Sequence, residues 1–201
     1  MDTACSLLLD WRDAMNRRNR VFAAAILLTF TGCGPRWTAV RQTAPNPFLG
    51  QTRFSVVPID YSNLVISGKP EATYVAGMDA KLQEAFAADK AGINQQFVKE
   101  LTTEAKYEGI NVTPAAEAVG VPFVIRPYIP TMMAGNFGGI AAVAMKVQIT
   151  TPDGRVLDEI GMQPPPANQG LFNGYTGEQL WKWGLAFGDI VTDYLKKRVH
   201  P

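Results

Sequence analysis

The sequence predicts an α/β (α+β) fold: a single mixed β-sheet with a terminal hairpin, packed by two long helices and one short helix. Three observations carry this expectation. Residues 141–150 alternate, with Val143, Met145, Val147 and Ile149 on one side and Lys146, Gln148 and Thr150 on the other, the period of a half-buried strand. Pro152-Asp153-Gly154 follows as a turn, because proline presets φ and glycine accepts a positive φ, and residues 156–162 return as the partner strand. Two long stretches, 79–107 and 176–198, carry apolar residues at the three- and four-residue spacing of helices.

The remaining elements follow in chain order. Residues 54–60 read as the first strand, and Pro58 places it at an edge or a bulge. Leu64-Val65-Ile66 adds a short strand. Asp79 is the expected N-cap of the first long helix, whose stripe is Leu82, Phe86, Ile93, Phe97 and Leu101. The stripe drifts across Gly92, which predicts a bend or break there. Gly109 ends the helix, residues 110–112 form a short strand, and Thr113-Pro114 open a single helical turn that stops at Gly120. Residues 121–129 are apolar and β-branched despite Pro122 and Pro127. Thr176 is the expected cap of the closing helix. Leu180, Trp183, Phe187, Ile190 and Tyr194 form its core stripe. Trp181 and Leu185 fall outside that stripe and are expected to bind a partner, while Gly184 and Gly188 let another backbone approach.

The N-terminus carries a separate signal. Arg17, Arg18 and Arg20 precede an apolar run over 21–30, which is well short of the roughly 20 residues a membrane-spanning helix needs. The order of basic, apolar and small residues is that of a secretory signal. Phe30-Thr31-Gly32-Cys33 resembles the lipobox of bacterial lipoproteins. The resemblance implies that residues 1–32 are removed and that Cys33 is lipidated. Gly34, where aspartate marks inner-membrane retention, implies an outer-membrane destination. Asp2, Asp10 and Asp13 ahead of the basic cluster point to Met15 as the true start. Residues 33–52, with Pro35, Pro45 and Pro47, read as the lipidated cysteine and a flexible tether, and 53–201 as one domain.

Removing 1–32 leaves 169 residues with 15 basic and 15 acidic side chains. Such a neutral chain has no electrostatic footprint for nucleic acid. Lys196, Lys197 and Arg198 form the one cationic run, placed where cations favour a helix C-terminus. Cys5 lies in or before the signal, Cys33 is expected to be acylated, and His200 is the single histidine. A Ser-His-Asp triad, a Cys-His pair and a histidine-based metal site are therefore not expected, so neither an enzyme nor a cofactor is. Residues 135–139 are glycine-rich but lack the Lys-Ser/Thr of a phosphate loop and read as a strand connection. Met132 and Met133 read as core, Glu100 and Glu104 as a solvated helix flank, and Asp60 as a turn cap.

Ala115-Ala-Glu-Ala-Val-Gly120 running into Val121-Pro-Phe-Val-Ile125, then residues 143–149, Asp153-Gly154 and the closing helix, resemble small envelope lipoproteins. These are relatives of the curli-secretion lipoprotein and of the amino-terminal domain of the Tol-system propeller protein. The expectation is a non-catalytic lipoprotein at the periplasmic face of the outer membrane, held by acyl chains on Cys33. It would act with an envelope protein partner, as a scaffold or accessory subunit of an assembly or secretion machine. The alternative is an accessory component of lipid or lipopolysaccharide transport, which needs an apolar pocket. A hydrolase is the third reading, and it lacks the usual catalytic constellations.

Overall fold

The computed structural model describes residues 36–116, 120–135, 139–162 and 176–201. The strands are β1 (Trp37–Arg41), β2 (Arg53–Val56), β3 (Val65–Ile66), β4 (Lys69–Pro70), β5 (Asn111–Pro114), β6 (Phe123–Ala134), β7 (Ile140–Thr150) and β8 (Val156–Met162). The helices are α1 (Glu71–Val75), α2 (Ala80–Tyr107) and α3 (Glu178–Val199). All strands join one mixed sheet with the order β1-β8-β7-β6-β2-β5, β3 adding to β6 and β4 to β3. The fold class is the one the sequence predicts, terminal hairpin and both long helices included; the short helix described is α1 at Glu71–Val75, a stretch in which no helix was expected.

The β2–α2–β5 unit places two parallel strands side by side, because a helical crossover returns the chain in the same direction. β2 also pairs in parallel with β6, so it is an interior strand. Pro58 lies two residues past its end and stops it; the expected edge position is corrected. Pro127 sits inside β6 opposite that stop. Val57 donates its N–H to the Ile125 carbonyl at 3.1 Å, and Asp60 donates to the Pro127 carbonyl at 2.9 Å. The missing proline N–H therefore faces the place where β2 has given way to Pro58, and the ladder there is already broken.

Alternation along β6, β7 and β8 sends Ile125, Ile129, Val147, Ile149 and Ile160 to one face, where α2 and α3 cover them. Phe86, Ile93, Phe97 and Leu101 of α2 and Leu180, Trp183, Phe187, Ile190 and Tyr194 of α3 complete this core. Leu82, predicted for the α2 stripe, is exposed. The two helices run in the same direction and touch through glycines. A Cβ on Gly184 would overlap the Ile93 carbonyl and lie 3.0 Å from the Phe97 nitrogen; one on Gly188 would lie 2.9 Å from the Leu101 nitrogen. Backbone meets backbone at this seam, so only glycine fits.

Several local expectations are overturned. α2 runs unbroken through Gly92, so no break occurs there, and the missing side chain makes room for the Trp181 ring. β5 continues through Pro114 where a helical turn was expected, held in parallel register with Val56. Residues 117–119 of that predicted turn lie outside the described residues. The tether of 33–52 is structured from Trp37 onward: β1 pairs antiparallel with β8, and Phe48 is buried against Phe54 and Phe123. Apolar residues Trp37 and Phe48 outweigh the loop signals of the prolines around them. Asp79 does cap α2, accepting from the Leu82 N–H at 2.8 Å. Gly109 does end the helix, with φ of 72°. No helix among the described residues is long and apolar enough to cross a membrane.

Candidate functional site

Two constructions on this frame are built from polar groups. The first fastens the N-terminal strand. Asp158 of β8 points to the helix side of the sheet, beside Ile160 and Met162, and is fully buried. Its carboxylate accepts from the Thr43 N–H at 2.7 Å, from Arg198 Nε at 2.9 Å and from the Tyr194 hydroxyl. Arg198 Nη2 also donates to the Thr43 carbonyl at 3.0 Å, and Asn46 Nδ2 donates to the Arg198 carbonyl at 2.6 Å. Gln42 Nε2 reaches the Tyr194 oxygen at 3.3 Å, and Trp37 stands edge-on to the Tyr194 ring at 4.8 Å. Burial, and then the bond to Asp158, push the Tyr194 hydroxyl up, so it remains a donor. The whole assembly locks residues 42–46 onto α3 and β8.

The second construction is the other face of the sheet, on which no described element packs. Glu159 stands at its centre. Glu159 accepts from the Tyr128 hydroxyl at 3.0 Å and from Gln148 Nε2 at 2.9 Å, and Lys146 lies 3.6 Å away. Arg126 Nε donates to Thr150 Oγ1 at 3.1 Å. Burial, then the Glu159 hydrogen bond, push the Tyr128 hydroxyl up to about 12, so it stays protonated at neutral pH. Val57, Asp60, Arg126, Pro127, Tyr128 and Gln148 line an open depression of about 390 Å³ beside this network. Its side chains are held in place by one another, which lowers the ordering cost of binding a partner here.

The predicted site residues fall differently. Cys33 lies outside the described residues. Trp181 and Leu185 are half-buried on α3, and the Trp181 ring lies against Gly92 of α2. At Trp181, α2 therefore covers part of the face expected to meet a partner. Arg198, read with Lys196 and Lys197 as a cation favouring the helix C-terminus, is mostly buried and paired with Asp158. Met132 is core as expected, but Met133 is 61% exposed on the open face. Asp60 caps a turn, accepting from the Ser62 N–H at 2.7 Å. Glu100 is half-buried against α3; burial and then the neighbouring Glu104 raise its carboxyl above the usual range. Residues 136–138 of the glycine-rich stretch are outside the described residues. Among the described residues no group of three or more His, Cys, Asp or Glu side chains comes together. Sequence reading missed Asp158. The available signal was an aspartate in phase with Ile160 and Met162 on the apolar side of its strand.

Thr176 does not cap α3. Gly177 occupies the N-cap position, and its N–H is taken by Asp89 of α2 at 2.8 Å. Burial raises the Asp89 carboxyl; the Gly177 bond and the nearby Trp181 indole, which makes no hydrogen bond of normal geometry, offset this in part. Between the unfolded value and the raised folded one, the native state binds more protons than the unfolded chain. This group therefore favours folding less as pH rises through that window. Asn in its place still accepts from Gly177 but does not ionise. Asp89→Asn is expected to gain stability over the wild type as pH rises from about 4 to 7, and melting curves across that range check it. A stability difference that stays flat with pH contradicts the assignment.

Neither a protein-family model nor a curated protein matches the sequence. Among solved structures, the chain is similar to a PelC dodecamer from Paraburkholderia phytofirmans. The sequence identity is 12%, the match covers 82% of this chain and 99% of that one, and the TM-score is 0.41.

Proposed function

We propose that this protein is a non-catalytic lipoprotein of the outer membrane, anchored through acyl chains on Cys33, whose domain serves as an accessory or scaffold subunit of an envelope assembly or secretion machine. The observation that carries the binding role is the half-covered sheet. One face is filled by α2 and α3, and the other presents the interlocked Tyr128, Gln148, Glu159 and Lys146 as a prearranged surface. The signal and lipobox residues carry the location. One acyl chain binds a membrane reversibly, so lasting attachment requires at least two chains or signals. Confinement to a surface then raises the effective concentration of the binding face. The lipid-carrier reading has less support, because the space between sheet and helices is occupied by side chains such as Phe97, Leu101, Phe187 and Tyr194.

Two experiments test the proposal. Cys33→Ser is expected to abolish metabolic acyl labelling and to move the protein from the membrane pellet to the soluble fraction. A variant that still pellets without label rules out the anchor. A photo-crosslinking residue at Gln148 on the open face, compared with one at exposed Ala87 of α2, is expected to give a discrete adduct in native envelopes from position 148 alone. Adducts of equal yield at both positions contradict a docking role for this face.

A further inference from the structure

The first strand begins at Trp37, four residues after Cys33, and the Asp158 cluster locks the segment that follows it onto the domain. Four residues span at most about 14 Å even when fully extended. We infer that the β1 margin of the sheet rests on the lipid headgroups, with Arg36, Val40, Arg41 and Lys197 facing anionic phosphates; this rests on the acylation of Cys33 proposed above. An anchor with a long tether would leave the domain free to tumble, whereas this one brings a particular edge to the membrane.

The chemistry of that margin fits a lipid surface. Arg36, Val40 and Arg41 are exposed, and Val40 is 55% exposed on the open-face side beside Gly161. Arg36 pairs with Asp189 at 2.7 Å but remains half in solvent, and Arg41 has no ion pair among the described residues. Lys197 lies over the Trp37 ring at 5.7 Å, and its amine is also shared with Asp193. Arginines flanking an apolar residue suit an interface in which phosphates lie above acyl chains. A second copy adding to the free edge of β1 is the competing occupant. β1 is short and carries arginine at its end and just before its start, features that guard an edge against strand addition.

The test uses the acylated protein in vesicles of phosphatidylethanolamine and phosphatidylglycerol containing brominated lipid. Acylated Cys33 has no free thiol, so single cysteines at Thr38 or Asn111 take a fluorophore selectively. Asn111 lies on β5, about 24 Å away across five strand spacings. Bromolipid is expected to quench the probe at Thr38 at least about twofold more than the probe at Asn111, which lies beyond short-range contact with the lipid. Arg41→Glu is expected to reduce the quenching at Thr38, and added salt to do the same. Acyl-labelled protein that floats with vesicles but shows equal quenching at both positions overturns the orientation and leaves the anchor standing. Protein without label that fails to float overturns both. A disulfide formed under mild oxidant between two copies of the unlabelled Thr38→Cys protein, with no quenching of the labelled one, assigns the edge to a second copy and overturns the lipid contact. No response to Arg41→Glu or salt overturns the headgroup contact of the arginines.

Discussion

Asp158→Ala is expected to lower the melting temperature by about 6–20 °C, corresponding to a loss of about 3–5 kcal/mol in a domain of this size. The mechanism is uncompensated charge. Asp158 is fully buried, and Arg198 beside it is only 16% exposed. Removing the carboxylate leaves a guanidinium in a site built for a pair, and it orphans the Thr43 N–H and the Tyr194 hydroxyl as well. The loss should be specific in place. Freed from Asp158, residues 42–46 lose their main attachment, so limited proteolysis is expected to cut there before it cuts α2 or α3. Asp158→Leu combined with Arg198→Met is expected to be less harmful than the sum of the two single changes, because apolar replacement of a whole buried pair is often close to neutral. A fall of less than about 2 °C, within the range of an ordinary surface change, would show that the cluster does not hold the strand.

The same cluster shows what sequence could and could not reveal. Elements with strong local signals were legible. β7 and β8 follow the alternation and the Pro-Asp-Gly turn, α2 begins at its Asp79 cap, and the α3 stripe is buried at every predicted position. Elements defined by distant contacts were not. Residues 37–41 carry turn-like neighbours, and only pairing with β8 makes them a strand. Asp158 and Arg198 lie 40 positions apart, and each alone resembles a solvated charge. Gly92 showed as a weak point of its helix, because nothing in the local sequence says that Trp181 lies on it. Pro58 signalled an edge or a bulge, yet it lies in the middle of the sheet, where β2 stops opposite Pro127 of β6. At the N-terminus the sequence offers a lipobox motif, and the start of β1 at Trp37 places that strand only four residues after Cys33.

The α2–α3 seam makes the second large expectation. Gly184→Ala brings a Cβ into the Ile93 carbonyl and to 3.0 Å from the Phe97 nitrogen, both fixed backbone atoms of α2. Alanine is the better helix former by about 1 kcal/mol. A solvent-exposed Gly→Ala change in a helix would therefore stabilise the protein. Here the two helices must separate, and overpacking of a filled interface costs about 1–3 kcal/mol or more, so a net loss is expected. Gly92→Ala meets a different obstacle, because the Cβ would overlap the Trp181 indole, a side chain that can rotate away. Its cost should fall when Trp181 is also changed to Ala, with a coupling of about 0.5–3 kcal/mol in a double-mutant cycle. No such rescue is expected for Gly184→Ala, since Trp181 is not what blocks it. Thermal or denaturant melts of the four variants read out the cycle. A stabilised Gly184→Ala would mean that the helices do not approach as closely as described. Additive effects of Gly92→Ala and Trp181→Ala would mean that the indole is not seated on α2, and Trp181 would again be free to face a partner.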